Sequence, residues 1–309
     1  MVTHRTVIKE NMQDYLNLAL QGKNEWWRYV LAVLLILFLW QIIGAIPSAA
    51  LILWEMINHG LQAGVSANVL PGMDTTVGFL AIMLASVFLL LGIFLAIRFV
   101  HQRSFRTLIT PNRAIAWGRL FKGFGVWFGL VALMSVVEAR LFPGRYIWSL
   151  DLKRFIPFVF LALILIPIQT SAEELFFRGY ILQGIGLRSH KIWLLSAISG
   201  VLFGLPHLLN PEAAVNYALL GLYYFAFGFA LAYLTLRDGQ LELALGAHAA
   251  NNLFTVLFAN TTVSALPSPS LFTISVLDAV YSVPAALIGM VIFVGLFTGP
   301  LKQREDSAD

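Results

Sequence analysis

Two adjacent carboxylates, Glu173 and Glu174, close an apolar run (residues 155–172) that contains no charged residue, and Arg178 follows them. An ionisable group at membrane depth costs about 2.5 kcal/mol or more, and such groups mark functional sites. The plainer reading puts both carboxylates at the headgroup level, where charge costs little. Helical spacing separates the two. Glu174 and Arg178 are i and i+4 and share a face, so they can pair. Glu173 is rotated by roughly 100°, and its own i+4 neighbour is Phe177. The spacing predicts one carboxylate neutralised in place and one available for chemistry.

Of the six histidines, His4, His59, His101, His190, His207 and His248, only His207 and His248 fall within apolar stretches. A lone histidine there is commonly a hydrogen-bonded packing residue. Depth argues for more. The segments carrying Glu173 and His207 read as a helical hairpin whose midpoint is His190, so both residues lie roughly 25 Å from the turn. The spacing lets His207 approach Glu173. His248 and Asn252 follow the 237–240 turn and sit roughly 13–20 Å in. All these groups converge in one cavity, expected to open on the cytoplasmic side. Phe203 with His207, and His248 with Asn252, are i,i+4 pairs that each present one face; Asn251 is expected to point elsewhere. A carboxylate beside an imidazole can take a proton from water, and an imidazole or amide N–H can stabilise an oxyanion. Glu173 with His207 therefore suits the base, His248 with Asn252 the oxyanion site, and Glu174 with Arg178 a scaffold or a carboxylate-binding pair.

The elements that must position these groups are membrane helices. The 309 residues are 59% hydrophobic and only 12% charged, about half the charged share of a soluble domain. The apolar runs are near 20 residues long, the length that spans a bilayer. The expected fold is all-α: a polytopic membrane bundle of about eight transmembrane helices, near 29–57, 77–97, 123–137, 155–186, 192–209, 213–236, 241–259 and 276–297. Pro47 is expected to kink the first. With both termini cytoplasmic, sixteen Lys and Arg fall inside and four outside, the bias of a positive-inside topology. Basic residues at helix ends report topology and exclude a nucleic-acid partner. The absence of cysteine excludes a thiol nucleophile, disulfides and Cys-ligated metal. The polar first 28 residues predict no cleavable signal peptide; they read as a cytoplasmic lead with a helix lying at the surface. The expected organisation is a lead (1–28), a single transmembrane domain (29–299) and a cytoplasmic tail (300–309).

Glu173-Glu174-x-x-x-Arg178, Phe203-x-x-x-His207 and His248-x-x-x-Asn252, in that order on separate apolar helices, resemble the motifs of the CPBP family (CAAX proteases and bacteriocin-processing enzymes, formerly the Abi family). The matching core runs over about 155–259. The resemblance implies an intramembrane peptidase of the glutamate-dependent or metal-dependent type, in a bacterial inner membrane. It implies site residues Glu173, Glu174, Arg178, His207, His248 and Asn252, with Phe203 in the substrate cavity. The substrate would be a membrane-embedded or membrane-anchored peptide; nothing in the sequence selects prenylated ones. One Glu and two His suffice for zinc with an open water position, so Glu173, His207 and His248 form an alternative ligand set. The leaning is toward metal-free activation of water, because Glu174, the remaining base, is paired with Arg178. Two rivals stay open: a non-catalytic scaffold or self-immunity protein with the same fold, and a proton-coupled transporter, for which the expected inverted repeat is not seen. Asn260-Thr261-Thr262 reads as a chance sequon. Tyr223, Tyr224, Phe225, Phe227 and Phe229 read as lipid-facing or packing residues, with an apolar substrate lining as the alternative.

Overall fold

The computed structural model describes residues 4–59 and 74–299; residues 1–3, most of the loop after the first span and the tail expected at 300–309 lie outside the described residues. The helices in chain order are α1 (His4–Asn17), α2 (Trp26–Asn58), α3 (Thr75–Val100), α4 (Trp117–Leu141), α5 (Leu152–Gly186), α6 (Ile192–His207), α7 (Tyr217–Asp238), α8 (Glu242–Leu257) and α9 (Ala279–Thr298). The chain is an all-α polytopic membrane bundle. Among the described residues six helices, α2, α3, α4, α5, α7 and α9, are long and apolar enough to cross a bilayer. The eight spans expected from the sequence also include α6 and α8. Each of these has 16 residues and is about 24 Å long, short of a hydrocarbon core about 30 Å thick. Almost all of α8 is buried inside the protein, so protein side chains rather than lipid surround it.

Local chemistry sets the helix ends. The Asp74 carboxylate accepts from the Thr76 and Val77 amides at the start of α3, and Asp278 does the same for Val280 and Tyr281 at α9. Gly239 ends α7 with φ +77°, a conformation that only glycine adopts without strain. The break in α2 falls before Pro47: Phe38–Ile43 widens to a π-helix and Gly44 sits against Ala85 of α3. Proline supplies no N–H to the preceding turn, and the helix loosens there.

The connections gather on two faces. Lys23 N donates to His101 O at 2.8 Å and Leu241 N to Ile109 O at 2.8 Å, which ties residues 18–25, 101–116 and 239–241 into a basic face. The opposite face carries a small sheet of β1 (Tyr146–Trp148), β2 (Ala259–Thr261) and β3 (Phe272–Ile274). Its order is β1-β3-β2, with β3 antiparallel to β1 and parallel to β2. Arg145 closes this face through Glu138 at 3.2 Å and Asp278 at 2.6 Å.

The N-terminal helix departs from expectation. Tyr15 and Leu16 are fully buried, and they pack with Met12, Leu182, Leu195 and Leu236. Tyr15 Oη donates to the carbonyls of Leu108 and, at 3.2 Å, Arg178. Residues 12, 15, 16 and 19 make an i, i+3, i+4, i+7 stripe, and that stripe docks onto α7 and the end of α5 instead of lying on the membrane.

Candidate active site

Three helices bring the motif residues together. Glu173 and Glu174 end the regular part of α5, and Leu175–Ile181 continues it as a π-helix, a distortion that recurs at functional sites. Glu174 is fully buried. Its Oε1 accepts from Arg178 Nη1 at 2.9 Å and from His248 Nδ1 at 2.7 Å. Arg178, also fully buried, lies over the Phe203 ring at 4.4 Å and donates to the Gly228 carbonyl at 3.4 Å. Arginine suits this place because its weakly hydrated planar guanidinium stacks on rings and pairs carboxylates at once. The i,i+4 pair expected between Glu174 and Arg178 forms.

Glu173 has a different setting. Its Oε1 accepts from Gln169 Nε2 at 2.6 Å. Among the described residues its Oε2 has no hydrogen-bond partner, and His248 Nε2 stands 3.7 Å from it. Gln169 is one link in a chain of amides. Gln169 Oε1 accepts from Asn252 Nδ2 at 3.0 Å, and Asn252 Oδ1 from Asn251 Nδ2 at 3.1 Å. Asn251 Oδ1 in turn accepts from Trp127 Nε1 and Tyr223 Oη. Each amide in the chain donates one N–H in the direction of the Glu173 carboxylate. Such a chain polarises its members cooperatively.

The same bonding fixes both imidazoles. A carbonyl or carboxylate oxygen only accepts, so His248 Nδ1 donates to Glu174 and His207 Nδ1 donates to Phe203 O at 2.7 Å. Each ring therefore directs Nε2 away from its anchor. The His207 ring lies against Phe203 at 4.2 Å and Tyr224 at 5.0 Å between centroids.

Gln169, Glu173, Phe203, His207, His248, Asn251 and Asn252 line one cavity of about 780 Å³, together with Tyr146, Glu138, Asn210 and Ser264 from the sheet-bearing face; Glu174 and Arg178 are buried behind this lining. Residues 101–116, 187–191 and 239–241 of the basic face contribute nothing to its lining. The cavity lies in the sheet-bearing half of the bundle, away from the basic connections where the sequence placed its opening. Distance from a turn gives depth but no direction, and His207, some 15 residues past the basic-face turn, is also the last residue of α6.

Glu173 and His207 line the same cavity, as the spacing allows, and among the described residues share no hydrogen bond. His248 stands between the two carboxylates and pairs with Glu174. One expectation changes. Asn251, expected to point away, lines the cavity and donates to Asn252. The α7 aromatics divide: Tyr223, Tyr224 and Phe227 line the cavity, while Phe225 and Phe229 pack toward α6. Gln169 was missed. Its signal was a polar side chain four residues before Glu173 in the same apolar run. Asn260 of the sequon is buried, and its Nδ2 donates to Leu266 O and Ser268 Oγ. As to a metal, among the described residues no three His, Asp or Glu side chains gather as a metal-holding group; Glu173, His207 and His248 line the same cavity.

The family model described as Rce1-like, type II CAAX prenyl endopeptidase, matches residues 153–254. The chain is 36% identical over 279 residues to "Uncharacterized protein YyaK" of Bacillus subtilis (strain 168), over 90% of this chain and 93% of that protein. No solved structure matches.

Proposed function

The chain belongs to the CAAX-protease-like membrane family that includes the Rce1-like peptidases, and on that premise we propose that it is an intramembrane endopeptidase. It hydrolyses a peptide bond of a membrane-associated protein or peptide with a water activated by Glu173. The observation that carries this reading is the unlike setting of the twin carboxylates. Glu174 is locked between Arg178 and His248, whereas Glu173 faces the cavity with Oε2 unbonded and His248 Nε2 3.7 Å away.

The steps follow from the bonding. With Nδ1–H committed to Glu174, His248 Nε2 is an acceptor. A water that donates one proton to Glu173 Oε2 and one to His248 Nε2 turns its lone pair toward the cavity. Glu173 takes the water's proton as general base, and the new C–O bond forms at the scissile carbonyl. The second N–H of Asn252 Nδ2, beyond the one given to Gln169, is available to the carbonyl oxygen as negative charge develops there. Glu173 then returns its proton to the amide nitrogen as the C–N bond breaks. Glu174 and Arg178 are positioning residues that hold His248. His207 closes the wall beside Phe203. No step is routed through a metal.

The Lys- and Arg-rich face is taken as cytoplasmic, which puts the N-terminus inside, in a bacterial inner membrane, with α6 and α8 completing eight crossings. The deciding experiment compares protein termini in membranes from cells expressing the chain or its Glu173→Gln form at equal levels. New termini that depend on Glu173 are expected. Identical termini across several growth conditions would overturn the peptidase reading in favour of a scaffold.

A further inference from the structure

The cavity lies in one half of the bundle. From α2 it takes Ser48 and Ile52, near the end of that helix at the sheet face. From α9 it takes Tyr281, in the first turn. From the connections it takes Tyr146, Asn210 and Ser264. All of these belong to the sheet-bearing side.

On the other side the polypeptide is closed. Gln183 and Glu242 are fully buried and Leu241 likewise. Gln183 accepts from Arg103 Nη1 at 2.8 Å and donates to Thr107 O at 2.8 Å. Arg119 is paired with Asp238, and Glu242 accepts from the Ala116 amide at 3.2 Å. Tyr15 plugs the underside of the Arg178 turn. These buried bonds stand between the site and the basic face, and breaking them to admit a peptide would leave each buried polar group unpaired.

Basic residues mark the closed face. Arg98, Arg103, Arg106, Arg113, Arg119, Lys122, Arg188, Lys191 and Arg237 all cluster there in the sequence, and such clusters stay in the cytoplasm. We propose that the cavity opens to the extracytoplasmic side, so that the substrate is a membrane-anchored or secreted peptide whose scissile segment enters from the outer leaflet or beyond. This inference rests on the endopeptidase reading for its chemistry and deepens it by naming where the substrate must be presented.

The chain has no cysteine, so single cysteines report without background. Three variants suffice: Thr262→Cys on the exposed loop of the sheet face, Ser135→Cys in the cavity lining, and His190→Cys on the exposed basic face. Each is treated with a small membrane-impermeant thiol reagent in intact spheroplasts, in permeabilised ones and in denaturing detergent. The expected result is labelling of Thr262→Cys and Ser135→Cys in intact spheroplasts, and of His190→Cys only after permeabilisation. The reverse pattern overturns the proposal, as does labelling of Ser135→Cys only after permeabilisation. Val263→Cys and Arg188→Cys replace any variant that fails to accumulate. Labelling does not depend on turnover, so failure of this proposal is distinct from failure to find Glu173-dependent termini.

Discussion

Adjacent carboxylates with opposite duties make a sharp prediction about Glu173 and Glu174. The Glu174–Arg178 pair is 2.9 Å long between two fully buried side chains. Its Coulomb attraction is about 6 kcal/mol at an effective dielectric constant near 20. Removing one partner of such a pair costs about 3–5 kcal/mol, because the other charge is left buried and uncompensated. Glu174→Gln and Arg178→Met should therefore each lower the melting temperature by roughly 10 °C, at about 2–4 °C per kcal/mol for a large domain. The double variant should recover much of that loss, since both charges leave together. Glu173→Gln should melt within a few degrees of the parent, because among the described residues no Lys or Arg side chain pairs with Glu173 and its side chain is 15% exposed; it should nevertheless abolish the new termini. The assay is thermal unfolding of purified protein in detergent, paired with the comparison of termini. Equal destabilisation by Glu173→Gln and Glu174→Gln, or a double variant no better than the singles, would refute the division of roles.

Gln169→Leu removes the donor to Glu173 Oε1 and strands Asn252; hydrogen bonds to charged groups contribute about 1.5–3 kcal/mol, so formation of new termini should slow by roughly 10- to 100-fold, while Gln169→Asn restores none of it because its shorter side chain cannot reach both partners. Gly246→Ala should cripple folding: a Cβ there would lie 2.0 Å from Leu120 O on α4, a backbone atom that cannot yield, and the accumulated folded fraction in membranes is the readout. His101 is buried, with Nδ1 donating to Lys23 O and Nε2 accepting from Tyr180 Oη. Burial holds its imidazole below the ordinary value of 6.5. The unfolded chain thus binds this proton more readily, so the contribution to stability is complete above about pH 6.5 and declines as pH falls below it. Melting temperatures measured from pH 7.5 to 5 should fall in the parent and fall less in His101→Gln.

What was legible in the sequence was what the backbone period carries. The apolar runs marked the membrane helices, and the i,i+4 spacing of Glu174 and Arg178 foretold their pair even though the helix widens to a π turn between them. The three motifs marked the helices that meet at the cavity. Rotation and packing between helices were not legible, because no period relates residues on different helices. Tertiary structure put His248 between the carboxylates, turned Asn251 inward and joined Gln169 to Asn252. The cause is a close crossing: Gly123 and Gly246 let α4 and α8 approach until a Cβ on either would strike the other's backbone. That contact sets the rotation of α8, and with it the direction of His248. The docking of α1 and the sealing of the basic face were likewise decided by long-range contacts. Depth and local pairing follow from counting residues along a helix; which side of the bundle the cavity opens on does not.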